Sequence, residues 1–156
     1  GYERLGALHD ALAAGDAAAL EAALSCVLAA GPSCRDPTSE NSYHMLMTGL
    51  LYGVPGYGDP LSNREEGHGY FDLRLAPEVR PDRPPRPDLP VITVELKVLA
   101  KADAAGDPAA LGEKLAQLAE AALGQVDQRA YDCQELGPRI RYGIAFCGKT
   151  VAVARG

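Results

Sequence analysis

The run Val91-Ile92-Thr93-Val94-Glu95-Leu96-Lys97-Val98 decides the fold of this chain, because it has the composition of a strand yet carries two charges. Side chains alternate between the faces of a strand, so Glu95 and Lys97 share one face while their apolar neighbours point into the core. A buried charge without a partner is costly. The run therefore predicts a strand whose charged face meets complementary charges.

A second strand-like run, Tyr70-Phe71-Asp72-Leu73-Arg74-Leu75, places one more carboxylate between apolar residues. If the two strands are neighbours, Asp72, Glu95 and Lys97 form one set. Two carboxylates can hold a divalent cation, and an ammonium can steer a water beside it. The same set can also be a buried ion-pair network, which is costly to desolvate and stabilises little.

The composition fits one compact domain. The chain has 156 residues, of which 47% are hydrophobic and 23% are charged, an ordinary balance for a globular protein. Its net charge is −6, which argues against strong non-specific DNA binding, because such affinity comes mainly from neutralising phosphates. A metal-dependent nuclease remains compatible with this charge, since a bound cation offsets part of it.

Targeting signals and cysteine spacing bear on location. No run approaches the roughly 18 consecutive apolar residues of a membrane helix, so we expect no membrane association. The chain begins at Gly1 rather than Met and shows no leader, which we interpret as an excised domain or a processed chain. The four cysteines fit no zinc pattern. We expect reduced thiols in a cytoplasmic protein, with a Cys26–Cys34 disulfide as the alternative.

Hydrophobic periodicity and turn residues divide the rest of the chain into elements. Leu-rich stretches on either side of Gly15 predict an N-terminal helical hairpin, whose second helix follows the N-cap Asp16. From Glu40 onward the pattern predicts a helix, three strands, a helix and two strands. Their expected positions are Thr38 or Ser39 to Leu51, Leu61–Arg64, Tyr70–Leu75, Val91–Val98, Asp107 to Pro138, Arg141–Phe146 and Thr150–Ala154.

Residues Pro77 to Pro90 contain six prolines, which predicts an extended loop between the strands of Asp72 and Glu95. The three arginines of this loop could touch phosphates, or they could simply be solvated and balanced by loop acids.

The predicted order, with an acid on the second strand and E-x-K on the third, resembles the core of the PD-(D/E)XK nuclease superfamily. Four segments carry the resemblance in the order of one bacterial branch, over residues 37–153. Phe71 precedes Asp72 where many members have Pro. The segments are Ser39-Glu40-Asn41-Ser42-Tyr43-His44 before the apolar residues 46–51, Ser62-Asn63-Arg64-Glu65-x-Gly67-x-Gly69-x-x-Asp72, Val94-Glu95-Leu96-Lys97, and Tyr142-Gly143-Ile144-Ala145-Phe146-x-Gly148-Lys149.

The resemblance implies a fold and a division of the chain. The implied fold is α/β, a restriction-endonuclease-like αβββαβ core with a central mixed sheet, preceded by the helical hairpin. Residues 1–36 would be an N-terminal helical segment packed on the core or linking to it, and residues 37–156 the nuclease-like domain. In this branch an AAA-ATPase-like domain commonly precedes the nuclease-like domain, so we expect such a partner.

The resemblance also implies an active site. Asp72, Glu95, the Leu96 backbone carbonyl and Glu40 would bind Mg²⁺, with Mn²⁺ as a substitute. Lys97 would orient or help deprotonate the attacking water and stabilise the developing charge. The catalytic set is therefore Lys97, Glu95, Asp72 and Glu40. Glu40 could instead only serve as an acid in the first turn of a helix.

Five further residues are candidates for binding substrate phosphates. His44 could contact a phosphate or hold Glu40, or it could be a helix-packing histidine. Arg64 could bind the scissile phosphate or form a surface ion pair with a neighbouring glutamate. The long helix carries three polar residues that resemble those near the site in related nucleases, or are plain surface residues. They are Gln125, Gln128 and Tyr131.

The expected function is metal-dependent hydrolysis of phosphodiester bonds in nucleic acid, DNA rather than RNA, in an ATPase-linked protein. The alternative is an inactive nuclease-fold module that binds nucleic acid or protein or regulates an ATPase. Motifs of other enzyme classes, including H-E-x-x-H, G-x-S-x-G and G-x-x-x-x-G-K-[ST], are absent.

Overall fold

A mixed sheet of five strands, counted over the described part of the chain, lies at the centre of the protein. The computed structural model describes residues 2–31, 40–62, 72–84, 86–104, 106–129 and 137–156, and for residues 2, 40, 72 and 126–129 it describes the backbone. The elements are α1 (Tyr2–Ala14), α2 (Ala17–Ala30), α3 (Glu40–Leu50), β1 (Leu61–Ser62), β2 (Asp72–Leu75), β3 (Val91–Val98), a 3₁₀ turn (Lys101–Asp103), α4 (Pro108–Arg129), β4 (Arg139–Cys147) and β5 (Thr150–Arg155).

The strands lie in chain order, β1-β2-β3-β4-β5. β3 and β4 are parallel and are connected through α4, whereas the other neighbours are antiparallel. The predicted α/β class is confirmed, as is the order of helix, three strands, helix and two strands from Glu40 onward.

The main hydrophobic core lies between one face of the sheet and the first three helices. Helices α1 and α2 contribute a stripe of leucines, and α3 contributes Tyr43 and Met47. The strands contribute alternate residues, as expected for half-buried strands. Burial of these apolar side chains at roughly 25 cal/mol per Å² is the dominant stabilising term. The buried leucines of α1 and α2 are Leu8, Leu12, Leu20, Leu24 and Leu28.

Hydrogen bonds join the helical hairpin to the rest of the molecule. Gly15 adopts a φ of 72°, which suits glycine, and the Asp16 side chain accepts a hydrogen bond from the Ala19 nitrogen, which confirms the predicted N-cap. Three polar contacts then reach across to α3, β4 and β5. They are His9 Nε2 with the Leu50 carbonyl at 2.7 Å, the Tyr142 hydroxyl donating to the Leu12 carbonyl at 2.6 Å, and the Val153 amide donating to Glu21 Oε2 at 2.9 Å.

Helix α4 covers the opposite face of the sheet over β3, β4 and β5. Its contact is built largely from small residues, so the helix packs close to the strands. Asp107 precedes Pro108, and its carboxylate accepts a hydrogen bond from the Ala109 nitrogen, as expected for the start of a helix. The core between α4 and the sheet contains Leu115, Ala119, Leu123, Ala145, Cys147, Ala152 and Ala154.

The proline-rich segment has no regular strand in its described residues, as predicted. Two contacts anchor it: an isolated bridge between Tyr57 and Pro77, and the Tyr57 hydroxyl donating to the Pro90 carbonyl at 2.6 Å. Burial raises the pKa of Tyr57, against a lowering by nearby Arg86. These contacts hold the loop between β2 and β3 against the main core.

Several smaller expectations concern membranes and cysteines. No helix in the described ranges has both the length and the apolar character needed to cross a bilayer. Cys26 and Cys147 carry free thiols, the first exposed and the second buried. The other two cysteines, Cys34 and Cys133, lie outside the described residues.

Candidate active site

The sheet register pairs the two positions that were predicted to supply the metal-binding acids. Asp72 of β2 lies opposite Glu95 of β3. Leu73, Val94 and Leu96 belong to the core shared with α1–α3, so alternation places Asp72 and Glu95 on the α4 side of the sheet. Asp72 and Glu95 are thus directly opposed positions of two antiparallel strands, a relation that suits a shared cation.

Glu95 is buried completely, with 0% of its surface exposed. On its other side it pairs with Gly143 of β4, and α4 lies directly over that glycine. A Cβ on Gly143 would overlap the Ala119 carbonyl oxygen and lie 2.7 Å from the Leu123 nitrogen. The glycine therefore lets the helix backbone reach the sheet beside Glu95. A carboxylate enclosed in this way requires compensation by a cation or by hydrogen-bond donors.

Lys97 lies on the same side of β3 as Glu95. It is two residues further along, about 7 Å by the rise of a strand, and pairs with the small residue Ala145. Its side chain is half-buried. Leu96, between the two charges, buries its side chain in the main core. The backbone carbonyl is therefore the group that Leu96 could offer to a cation.

Helix α3 begins at Glu40, the predicted acid of the first core helix. One turn later His44 is buried, and its Nε2 lies 2.9 Å from Ser62 Oγ on β1. Ser62 pairs with Leu73, the neighbour of Asp72. His44 thus joins α3 to the edge of the sheet next to the acidic positions, and this contact occupies one of its ring nitrogens.

Tyr43 fixes the same turn of α3 from the other side. Its hydroxyl donates a hydrogen bond of 2.8 Å to the Gly148 carbonyl in the β4–β5 turn, and its ring stacks on Phe146 with centroids 4.6 Å apart. Between the contacts of Tyr43 and His44, the start of α3 is held near the end of β3 that carries the two charges.

The remaining predicted substrate-binding residues are only partly described. Arg64 and Tyr131 lie outside the described residues, and for Gln128 and Glu40 the backbone alone is described. Gln125 is half-buried on α4, and its Oε1 is enclosed with no hydrogen-bond partner in the described part of the chain. Their assigned roles stay predictions.

The donor types at these positions fit Mg²⁺, which prefers carboxylate and carbonyl oxygens. Asp72, Glu95 and the Leu96 carbonyl would supply them from adjacent positions of two paired strands. Among the described side chains, which do not include those of Asp72 and Glu40, no group of three or more potential ligands lies together.

Two arginines of the proline-rich loop pair locally. Arg80 Nε lies 2.8 Å from Glu78 Oε1, and an Arg86 guanidinium nitrogen lies 3.2 Å from Asp88 Oδ2. The hydrogen bond from Arg86 lowers the pKa of Asp88. Both pairs are exposed, so they contribute little to stability, and they match the interpretation of a solvated, charge-balanced loop.

The sequence reasoning missed the basic residues next to the acidic pair. Arg74 of β2 and Arg141 of β4 both lie opposite Thr93, on the α4 side of the sheet. The alternation that relates Glu95 to Lys97 also relates Asp72 to Arg74, so the pattern contained this signal. The position of Arg141 depends on the register between β3 and β4, which no local sequence pattern indicates.

Comparison of the chain with protein-family models, with curated proteins and with solved structures finds no match.

Proposed function

We propose that the protein is a metal-dependent nuclease domain with a restriction-endonuclease-like core, acting on DNA rather than RNA. The observation that carries the proposal is the register that pairs Asp72 with Glu95, with Lys97 on the same side of β3. Two acids and a lysine in this relation match the needs of metal-assisted phosphodiester hydrolysis. The order of elements from α3 onward also supports the proposal.

Each residue would have a distinct part in the reaction. Asp72, Glu95, the Leu96 carbonyl and Glu40 would hold Mg²⁺, or Mn²⁺ in its place, and the ion when bound supplies charge neutralisation and acidifies water. Lys97 orients the attacking water and stabilises the charge that develops on the phosphate. The water oxygen bonds to phosphorus, the P–O ester bond breaks, and the departing oxygen takes up a proton.

Cleavage assays test this assignment directly. Wild-type protein should cleave plasmid or single-stranded DNA in the presence of Mg²⁺, and Lys97→Ala should reduce the rate by about 10²–10⁴-fold, the usual contribution of proton-transfer catalysis. Glu95→Gln removes a ligand charge and should abolish cleavage. Two exposed residues provide matched controls, Lys149→Ala in the β4–β5 turn and Glu120→Gln on α4. Equal cleavage by wild type and both site variants would contradict the proposal.

The alternative proposal is that the domain is an inactive nuclease-fold module, which binds nucleic acid or protein or regulates an ATPase. The complete burial of Glu95 favours it, since Asp72, Glu95 and Lys97 would then form a buried ion-pair network. Calorimetric titration with Mn²⁺ distinguishes the two. Binding that Glu95→Gln abolishes favours the nuclease. Tight macromolecular binding with neither Mn²⁺ binding nor turnover favours the module. The AAA-ATPase-like partner and the cytoplasmic location stay predictions of the sequence.

A further inference from the structure

A row of polar residues crosses three strands next to the acidic pair. Arg74 of β2 lies opposite Thr93 of β3, which in turn lies opposite Arg141 of β4. The residues that flank each arginine in its strand belong to the main core, so the row lies on the α4 side of the sheet. Along β3 it is two residues, or about 7 Å, from Glu95.

Arg74 carries an unsatisfied donor in this row. Its side chain is half-buried and its Nε is enclosed, and in the described residues that Nε–H has no hydrogen-bond acceptor. Arg74 takes part in no salt bridge with another described residue. A buried donor without an acceptor costs about 1–3 kcal/mol, so a ligand that supplies acceptor oxygens would recover this energy.

Helix α4 carries a second unsatisfied group on the same side of the sheet. Leu123 of α4 faces the end of β5, because a Cβ on Gly156, just after that strand, would contact its side chain. Gln125 lies two residues later, about 200° further around the helix, and therefore on the flank towards β3. Because α4 leads into β4, its later residues lie over the earlier residues of that strand, near Arg141. The enclosed Oε1 of Gln125 has no partner in the described ranges, and rotation of the amide presents two donors instead.

The two arginines of this row favour an anionic ligand. Arginine guanidinium groups donate paired hydrogen bonds that match phosphate oxygens. Arg74, Thr93 and Arg141 are all half-buried, so part of each residue is exposed to solvent. We propose that Arg74, Arg141 and Gln125 bind a phosphate of the nucleic-acid backbone adjacent to the phosphate at the acidic pair. This inference rests on the proposed function, and it gives a domain of net charge −6 a local cationic contact for its substrate.

A binding assay without divalent cation tests the proposed phosphate contact separately from hydrolysis. The probe is a short, fluorescein-labelled, single-stranded oligodeoxythymidylate, and its anisotropy is measured in EDTA over a series of KCl concentrations. Arg74→Gln and Arg141→Gln should each weaken binding by about tenfold, the value of one charge-assisted hydrogen bond. The two substitutions together should reduce the slope of log K against log salt by about 0.7, because both arginines contact the same phosphate. Arg4→Gln, at an exposed site on α1 across the sheet, is the matched control and should change neither quantity.

Arg74→Lys covers the case in which the glutamine variant fails to fold. It should keep the salt slope but lose affinity, because one ammonium replaces the two-pronged guanidinium. Wild-type protein that fails to bind the probe, or arginine variants that match wild type in affinity and slope, would overturn the inference. Binding through the arginines without Mg²⁺-dependent cleavage would support it and contradict the nuclease. Cleavage that both arginine substitutions leave unchanged would overturn it and spare the nuclease.

Discussion

Substitution of Gly143 by alanine tests the packing that encloses Glu95. Gly143 has no room for a side chain, because a Cβ would overlap the Ala119 carbonyl oxygen and lie 2.7 Å from the Leu123 nitrogen. Both obstacles are backbone atoms of α4, so no side-chain rotation relieves the overlap. The helix as a whole must move away from β4.

The expected cost follows from this geometry. Overpacking of a core costs about 1–3 kcal/mol, occasionally more, and the rigid backbone on both sides places Gly143→Ala at about 3 kcal/mol or above. That is a large part of the roughly 5–15 kcal/mol that stabilises a typical domain. For a chain of this length the midpoint of thermal unfolding should fall by about 6–12 °C.

Urea unfolding followed by circular dichroism measures the change in the free energy of unfolding. Gly124→Ala is the matched control, since Gly124 is exposed on the same helix and a Cβ there meets nothing within 4 Å. Alanine at that position should stabilise the protein by about 0.5–1 kcal/mol. A Gly143→Ala protein within about 0.5 kcal/mol of wild type would refute the reasoning, because that is the scatter of ordinary surface substitutions.

Three further predictions concern pH, capping and metal. Burial raises the pKa of Tyr142 to about 12 from its ordinary 10.0, so the folded chain holds the phenolic proton longer than the unfolded chain. Stability should therefore fall as pH rises from about 10 to 12, and Tyr142→Phe should flatten this fall in alkaline denaturation. Asp16→Ala loses the hydrogen bond from Ala19 and should cost about 1 kcal/mol in urea unfolding. Mn²⁺ at 100 times its dissociation constant should stabilise wild type by about 2.7 kcal/mol in thermal melts, and Glu95→Gln should remove the effect.

Each of these predictions has a contradicting outcome. An alkaline transition of unchanged steepness in Tyr142→Phe would show that another group titrates in that range. Asp16→Asn keeps a capping oxygen and is the control for the alanine variant, so equal losses in both would contradict the capping interpretation. A melting temperature that Mn²⁺ raises equally in wild type and Glu95→Gln would place the ion elsewhere.

Local sequence patterns predicted the elements well where one signal dominated. β3 runs from Val91 to Val98 as expected, because its apolar composition and the preceding proline agree. β4 begins at Arg139, two residues before its predicted start. Its first residue, Arg139, is a half-buried arginine directly after Pro138, so it reads as part of the preceding loop until its neighbour across the sheet is known. The 3₁₀ turn after β3 has no periodic signal.

The candidate site was less accessible from sequence. The E-x-K spacing alone predicts that Glu95 and Lys97 share a face, because strand geometry fixes it. The pairing of Asp72 with Glu95 depends on register, and a long proline-rich connection does not set register as a tight turn does. The contact of His44 with Ser62 and the approach of α4 to Gly143 are tertiary contacts between distant segments, so no local pattern reports them.

The carboxylate of Glu21 has a consequence for the behaviour of the protein at high concentration. β5 is the last strand of the described sheet, and the outward amide of Val153 donates to Glu21 of α2. An exposed edge strand is a template for pairing with another chain, and a charge or a covering helix blunts it. At the other edge, the part of β1 that the structure describes is two residues long. The β5 margin of the described sheet thus resists strand addition, which disfavours aggregation through intermolecular β-pairing there.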